Sequence, residues 1–389
     1  MTKITAGLGT LLTLALLSNA GCAVTAAEPT KADGSTTVAS AQATASEPAA
    51  ACAAQAQAMS LKQQAGQLVM VGVSGSLDAA ERKAITASKA GSVILMGNNY
   101  GGVKRVAKLT ASIQKLGDGQ LLIATDQEGG LVQRLRGAGF VNLPSAAQQA
   151  KLSDAALTAK VTTLGKSMAS AGVLLDLAPV ADVVPASNRA ANRPVARLGR
   201  GYGSDPGVVS AKVAAFRAGL KAAGVAAAVK HFPGLGAVKG NTDFVAKVKD
   251  TTTTADSALL QPFRDAAADD VDAVMISSAI YTRIDAKNPA LFSAKVIGLL
   301  RGWGYDGVVI SDDLGVAVAV AKVPAKQRAY RFVLAGGDIA ITVNPRLATA
   351  FTSGVVAKAK TNPAFAAKVT AAAARVLRLK QSLGLVTCS

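Results

Sequence analysis

Val225-Ala226-Ala227-Ala228-Val229-Lys230-His231-Phe232-Pro233-Gly234 sets an unbroken apolar run directly against a cation, an imidazole and a Pro-Gly turn. The run is too short for a helix and ends in a turn former, so it reads as a strand buried on both faces. Lys230 and His231 then fall at the strand's end, where an α/β enzyme places its site residues.

Outward from this stretch the pattern recurs. Leu68–Val73, Ser92–Met96, Leu121–Thr125, Val173–Leu177, Ala273–Ser277, Gly307–Ile310 and Ile339–Val343 are further short apolar segments of strand length. Most intervals carry amphipathic stretches rich in Ala, Lys and Leu. Ala146–Ser170 and Gly207–Ala223 are the clearest, with others in Ser257–Asp269, Ser293–Gly302 and Gln327–Ala335. Eight strands alternating with helices predict a single (β/α)8 TIM-like barrel over residues 56–389. A doubly wound open sheet shares this alternation and stays the alternative, because periodicity does not show closure.

Polar residues gather after the strands. Asn98 and Asn99 follow the second, Asp126, Glu128 and Arg134 the third, Asp182 the fourth; Ser277 and Ser278 end the sixth, and Asp312 and Asp313 the seventh. In a barrel these ends meet at one mouth. The expected pocket holds the carboxylates Asp126, Asp312 and Asp243, the cations Arg134, Arg200 and Lys230, and His231. The bland alternative for each is an ion pair on a solvated loop. His231 is the only histidine in 389 residues, and Cys22, Cys52 and Cys388 lie at the chain ends. A Ser-His-Asp triad, a Cys-His dyad or a zinc site would have to use that one imidazole, and nothing beside it supplies the partners. There is no phosphate-binding Gly-x-x-x-x-Gly-Lys-Ser/Thr loop, and no Gly-x-Gly-x-x-Gly between a strand and a helix. The aspartates are scattered and mixed with cations, so no metal or organic cofactor is expected. Carboxylates among cations and amides suit a polyhydroxylated ligand, and paired carboxylates are the equipment of glycoside cleavage.

The N-terminus reads as an address. Lys3, the apolar Leu8–Leu17 and a small-residue stretch form a secretory signal over residues 1–21, too short to span a bilayer. Ala20-Gly21-Cys22 resembles the end of a bacterial lipoprotein signal, which would leave Cys22 lipidated; ordinary secretion with cleavage beyond Cys22 is the alternative. Residues 22–55, rich in Ala, Ser, Thr and Pro without an apolar period, are expected to be a disordered tether. Cys52 and Cys388 bracket the barrel and could pair in an oxidising exterior, or remain free thiols. The formal charge of +18 suits an anionic cell envelope. With 4% aromatic residues and no basic block interleaved with aromatics, nucleic-acid binding is not expected.

Five segments in order resemble glycoside hydrolase family 3, in the branch of bacterial β-N-acetylhexosaminidases. They are Ala124–Gly130 continuing to Arg134, Leu177–Val183, Arg200–Pro206, Lys230–Gly234 and Gly307–Leu314. The resemblance implies that Asp312 is the nucleophile that attacks the anomeric carbon; strand alternation would point Asp313 elsewhere if the strand extends that far. It implies that Asp126 accepts hydrogen bonds from sugar hydroxyls, and that Arg134, Arg200, Lys230 and His231 grip hydroxyl and N-acetyl oxygens. The substrate so implied is terminal β-linked N-acetylglucosamine on cell-wall muropeptides or related glycans.

One departure stands out. The branch ends the loop after Lys-His-Phe-Pro-Gly in Asp-Ser/Thr-His and uses that histidine as acid/base. This chain has Asn241-Thr242-Asp243 there. In one reading Asp243 is the acid/base, its proton held by burial or by the nearby Asp312; Glu128 is a weaker substitute. In another, acid/base function is lost and the protein is a tethered sugar or muropeptide binder. A third makes it a relative of other specificity, a β-glucosidase or a phosphorylase.

Overall fold

Every expected strand forms, and all run parallel: β1 (Val69–Val73), β2 (Ser92–Leu95), β3 (Leu122–Thr125), β4 (Leu175–Asp176), β5 (Ala226–Phe232), β6 (Ala273–Ile276), β7 (Val308–Ser311) and β8 (Ala340–Thr342). The structure, a computed structural model, describes residues 47–97 and 101–389. The expected signal at 1–21, Cys22, residues 22–46 of the expected tether, and Asn98 and Asn99 lie outside the described residues.

Neighbouring strands follow the order β7-β6-β5-β4-β3-β2-β1-β8. A parallel bridge between Ile310 and Ile339 brings β7 back to β8, and the Ser311 N–H donates to the Ile339 carbonyl at 2.8 Å. An open sheet would leave β7 and β8 as unpaired edges. Here they meet, so the fold is a (β/α)8 barrel. All residues of the eight strands are buried, which explains their continuous rather than alternating apolar character.

Several helices start where a short polar side chain caps them. The expected helix Ala146–Ser170 is two, Ala146–Gln149 and Asp154–Ser170, because Ser153 accepts the Ala156 N–H at 3.2 Å and opens a new N-terminus. Asp205 caps Pro206–Lys221, with Pro206 at the first position, where its missing N–H costs nothing.

The N-terminal boundary needs correction. Residues 47–55 are not a disordered tether: Glu47–Ala58 is a helix packed on the C-terminal helix Pro363–Ser382, with Cys52 and Ala56 buried. Alanine has the highest intrinsic helix propensity, and a Cys52–Cys388 disulfide, Cα atoms 4.9 Å apart, ties this helix to the other end of the chain. Composition counts the apolar surface of a segment but not the surface it meets. Both cysteines are bonded, so the free-thiol alternative falls.

Candidate active site

The C-terminal ends of the strands surround a cavity of about 520 Å³, within the range of small-molecule sites. Asp126, Arg134, Arg200, Lys230, His231, Asp243 and Asp312 all line it. Residues 186 positions apart, Asp126 and Asp312, thus face one space.

β5 extends past its apolar run to Phe232. Its register against β6 shifts between Lys230 and Phe232, so two residues there oppose one. The bulge brings consecutive side chains, Lys230 and His231, to the same cavity. Lys230, 2% exposed, sits between two carboxylates, with Nζ 2.7 Å from Asp126 Oδ1 and 2.7 Å from Glu128 Oε1. Burial disfavours its charge, but Asp126 and Glu128 outweigh that and push its pKa up, so it stays an ammonium. Arg134 Nε lies 3.7 Å from the other oxygen of Asp126. Arg200 grips Glu128 with two parallel bonds of 2.7 and 2.8 Å. Burial works against ionisation of Glu128, yet Arg200 and Lys230 hold its carboxyl well below the usual range. Glu128 is therefore a locked anion that orients two cations, and it drops out as the substitute acid.

His231 owes its orientation to Asp182, which is fully buried after β4. The ring Nδ1 lies 2.7 Å from Asp182 Oδ2, while Oδ1 of the same carboxylate accepts the backbone N–H groups of His231 and Leu235. Asp182 can only accept, so Nδ1 carries the hydrogen. Nε2 then presents its lone pair to Arg200 Nη2, 3.3 Å away.

Asp312 follows β7, and its N–H donates to the Ile276 carbonyl of β6 at 2.9 Å. The Asp313 N–H donates to its Oδ1 at 2.8 Å. Burial and the nearby Asp243 carboxylate push its pKa up to about 6. The strand ends at Ser311, so its alternation does not reach Asp313, which lines the cavity as well; the Asp313 carboxylate accepts the N–H groups of Gly315, Val316 and Ala317 and, across the barrel seam, of Val343. It shapes the loop after β7.

Asp243 stands at the rim. Unlike Asp312, it is exposed. The burial expected around this carboxyl does not form. Its loop is well fixed. Asn241 Oδ1 accepts the Asp243 N–H at 2.9 Å, and the carbonyls of Thr242 and Asp243 accept the N–H groups of Ala319 and Val318. The loop is docked on the one after β7. At its base Asn188 and Asn192 donate to the carbonyls of Leu235, Gly236 and Val238. Gly236 passes so close to Val183 that a Cβ would lie 1.8 Å from its carbonyl oxygen, so no larger residue fits.

Composition and spacing did not point to Asn188, Asn192 or Asp176 as parts of the site's support. Asp176, fully buried at the end of β4, accepts the Gln127 N–H at 2.9 Å through Oδ1, and Oδ2 has no partner. Burial, with Asp126 and Glu128 adding to it, raises its pKa to about 8. The available signal for Asp176 was an acid set inside the apolar segment Val173–Leu177, a place where a charge must be neutralised or paired. Among the described residues no cluster of three or more His, Cys, Asp or Glu side chains is placed to hold a metal ion.

Comparison with known proteins places this geometry. Residues 60–379 match the glycosyl hydrolase family 3 N-terminal domain. A protein from Alkalilimnicola ehrlichii named beta-hexosaminidase is 36% identical over 71% of this chain and 80% of its own length. The crystal structure of a β-N-acetylhexosaminidase from Beutenbergia cavernae is 42% identical, covers 83% of this chain and 99% of its own, and superposes with a TM-score of 0.81. A family 3 β-N-acetylglucosaminidase from Paenibacillus is 31% identical over 84% of this chain and 63% of its own, with a TM-score of 0.77.

Proposed function

The chain belongs to glycosyl hydrolase family 3 and is a glycoside hydrolase of the β-N-acetylhexosaminidase type, and from that premise we propose a retaining exo-β-N-acetylglucosaminidase with Asp312 as nucleophile. The observation that carries this reading is the carboxylate of Asp312, fixed at a strand end and facing the Asp126–Lys230–Arg134 set across one cavity. Asp126 and its two cations bind sugar hydroxyls. Arg200, braced by Glu128, and His231, braced by Asp182, take the remaining oxygens. An Asp312 oxygen bonds to the anomeric carbon as the glycosidic C–O bond breaks. Asp243 gives its proton to the departing oxygen. In the second half Asp243, now a carboxylate, takes a proton from water, whose oxygen displaces Asp312. A sugar filling the cavity would cover Asp243 and strip its water, favouring the protonated form there.

Terminal β-linked N-acetylglucosamine on cell-wall muropeptides or related glycans is the proposed substrate. The proposed address is the outer face of the cell membrane, through a lipid on Cys22 after removal of residues 1–21, where the chain's large surplus of Lys and Arg over Asp and Glu meets anionic envelope polymers. Incorporation of a labelled fatty acid that persists in Cys22→Ala would refute the anchor.

The primary test is chromophore release from an aryl β-N-acetylglucosaminide. Asp312→Asn is expected to lower kcat by about 10³-fold or more; undiminished activity sinks the nucleophile assignment. Asp243→Ala should cost about 10²–10⁴-fold on a natural disaccharide and far less on an activated aryl glycoside, whose leaving group needs no proton. Equal losses on both would remove Asp243 from the acid role. The exposure of Asp243 favours one competing reading, a sugar binder with impaired turnover. It predicts that the wild type binds the disaccharide without cleaving it.

A further inference from the structure

Among the described residues, large apolar side chains are exposed at few places, and most of those places are in the loops after the strands. Among the described residues eight are exposed, and six of them, Leu131, Leu198, Phe244, Val245, Val316 and Val318, belong to the loops after β3, β4, β5 and β7. The other two, Val208 and Leu334, lie apart on outer helices. The most exposed are Phe244 at 78%, Leu131 at 69% and Val316 at 59%. Phe244, Val316 and Leu198, from three separate loops, line the same cavity as Asp312. Phe244 directly follows Asp243, and the bonds from Val318 and Ala319 to the Asp243 and Thr242 carbonyls hold its loop beside the one that carries Val316.

The charged side chains that would hold the sugar, Asp126, Arg134, Lys230 and Asp312, are buried or half-buried, whereas the collar residues are exposed, which sets the collar outside the sugar that is cleaved. It begins where the leaving oxygen must emerge, beside the residue placed to protonate it. Resting on the glycosidase reading above, we propose that Phe244, Val316 and Leu198 form a hydrophobic platform for the leaving group, and that the preferred substrates are β-N-acetylglucosaminides whose aglycone presents a hydrocarbon surface. An apolar aglycone laid on these side chains removes from water area that the free protein leaves wet, and each methylene fully buried is worth about 0.8 kcal/mol, roughly fourfold in affinity. The continuity of the collar with the cavity selects this occupant: Phe244, Val316 and Leu198 line the same space as Asp243 and Asp312, so a group bonded to a sugar held there lies within their reach.

The test uses S-alkyl 1-thio-β-N-acetylglucosaminides from methyl to octyl, which are inert to cleavage, measured by calorimetry below their micelle concentrations. The methyl member does not reach the collar and is the internal reference. Wild-type protein should bind the octyl member about tenfold or more tighter than the methyl. The double variant Phe244→Ala/Val316→Ser should bring that ratio to within about twofold of unity, and Val208→Ser on an outer helix should leave it as in wild type. A flat series in wild type, or an undiminished ratio in the double variant, overturns the platform. Aryl glycoside turnover is read in parallel and separates the two claims. Turnover with a flat series removes the platform alone; a sloped series without turnover removes the glycosidase reading alone; failure of every member to bind removes both.

Discussion

Two carboxyls at the mouth share one electrostatic problem and meet it differently. Asp312 is buried and sits near another acid, which together place its pKa at about 6. Since the nucleophile must be ionised, kcat/KM for an aryl glycoside is expected to rise with pH and level off above about 6. Asp243→Asn removes the repelling charge, so the acid limb should move to lower pH; a limb that stays in place, or moves up, would show that the two acids do not interact. Asp176 makes the opposite use of burial. Its folded pKa of about 8 lies above the ordinary 3.8, so the folded state keeps a proton that the unfolded state has lost. Stability should therefore fall as pH rises from about 4 to 8. Asp176→Asn keeps the acceptor for Gln127 and removes the titration. Its Tm should match wild type near the acid end of that window, exceed it near the alkaline end, and vary less between them; parallel Tm profiles would refute the assignment.

At the scale of elements, the loop after β5 carries both the missing histidine and its replacement. Asn192, fully buried, donates to three loop carbonyls and accepts the N–H groups of Val195 and Ala196 at 3.1 and 2.8 Å. Asn192→Ala leaves these groups unpaired and should cost about 1–3 kcal/mol of stability, seen as a lower midpoint in denaturant. If Asp243 works from this loop, the same variant should lose more kcat on the natural disaccharide than on an aryl glycoside. Nothing local marks Asn192 for this work, because an asparagine in a polar stretch looks like any turn residue until the loop above folds onto it. The break at Ser153 was more accessible: a serine four residues beyond Gln149 and just before Asp154 is a capping pattern inside an apparently continuous helix.

Across the whole molecule, the disulfide joins residues 336 positions apart and contributes no side chain to the cavity. Cys52→Ser/Cys388→Ser should cost about 2–5 kcal/mol and lower Tm, with kcat/KM on an aryl glycoside at moderate temperature unchanged. A Tm equal to wild type would show that the N-terminal helix is held by packing alone. The barrel itself needs every strand before any edge is covered, since the Ile310–Ile339 bridge joins the last two strands only when the other six are in place.

The amino-acid sequence by itself determined the strand count, the strand order of the site residues, the family and the absence of the loop histidine. Short buried strands are written in unbroken apolar runs, and reactive side chains sit at their ends because the alternation of elements leaves no other place for them. Closure of the ring, the lock on Glu128, the orientation of His231 by Asp182, the exposure of Asp243 and the order of residues 47–55 were decided only by tertiary structure. Each depends on what lies opposite a residue in space, and the desolvation and pairing that set its charge or its order come from segments up to hundreds of positions away.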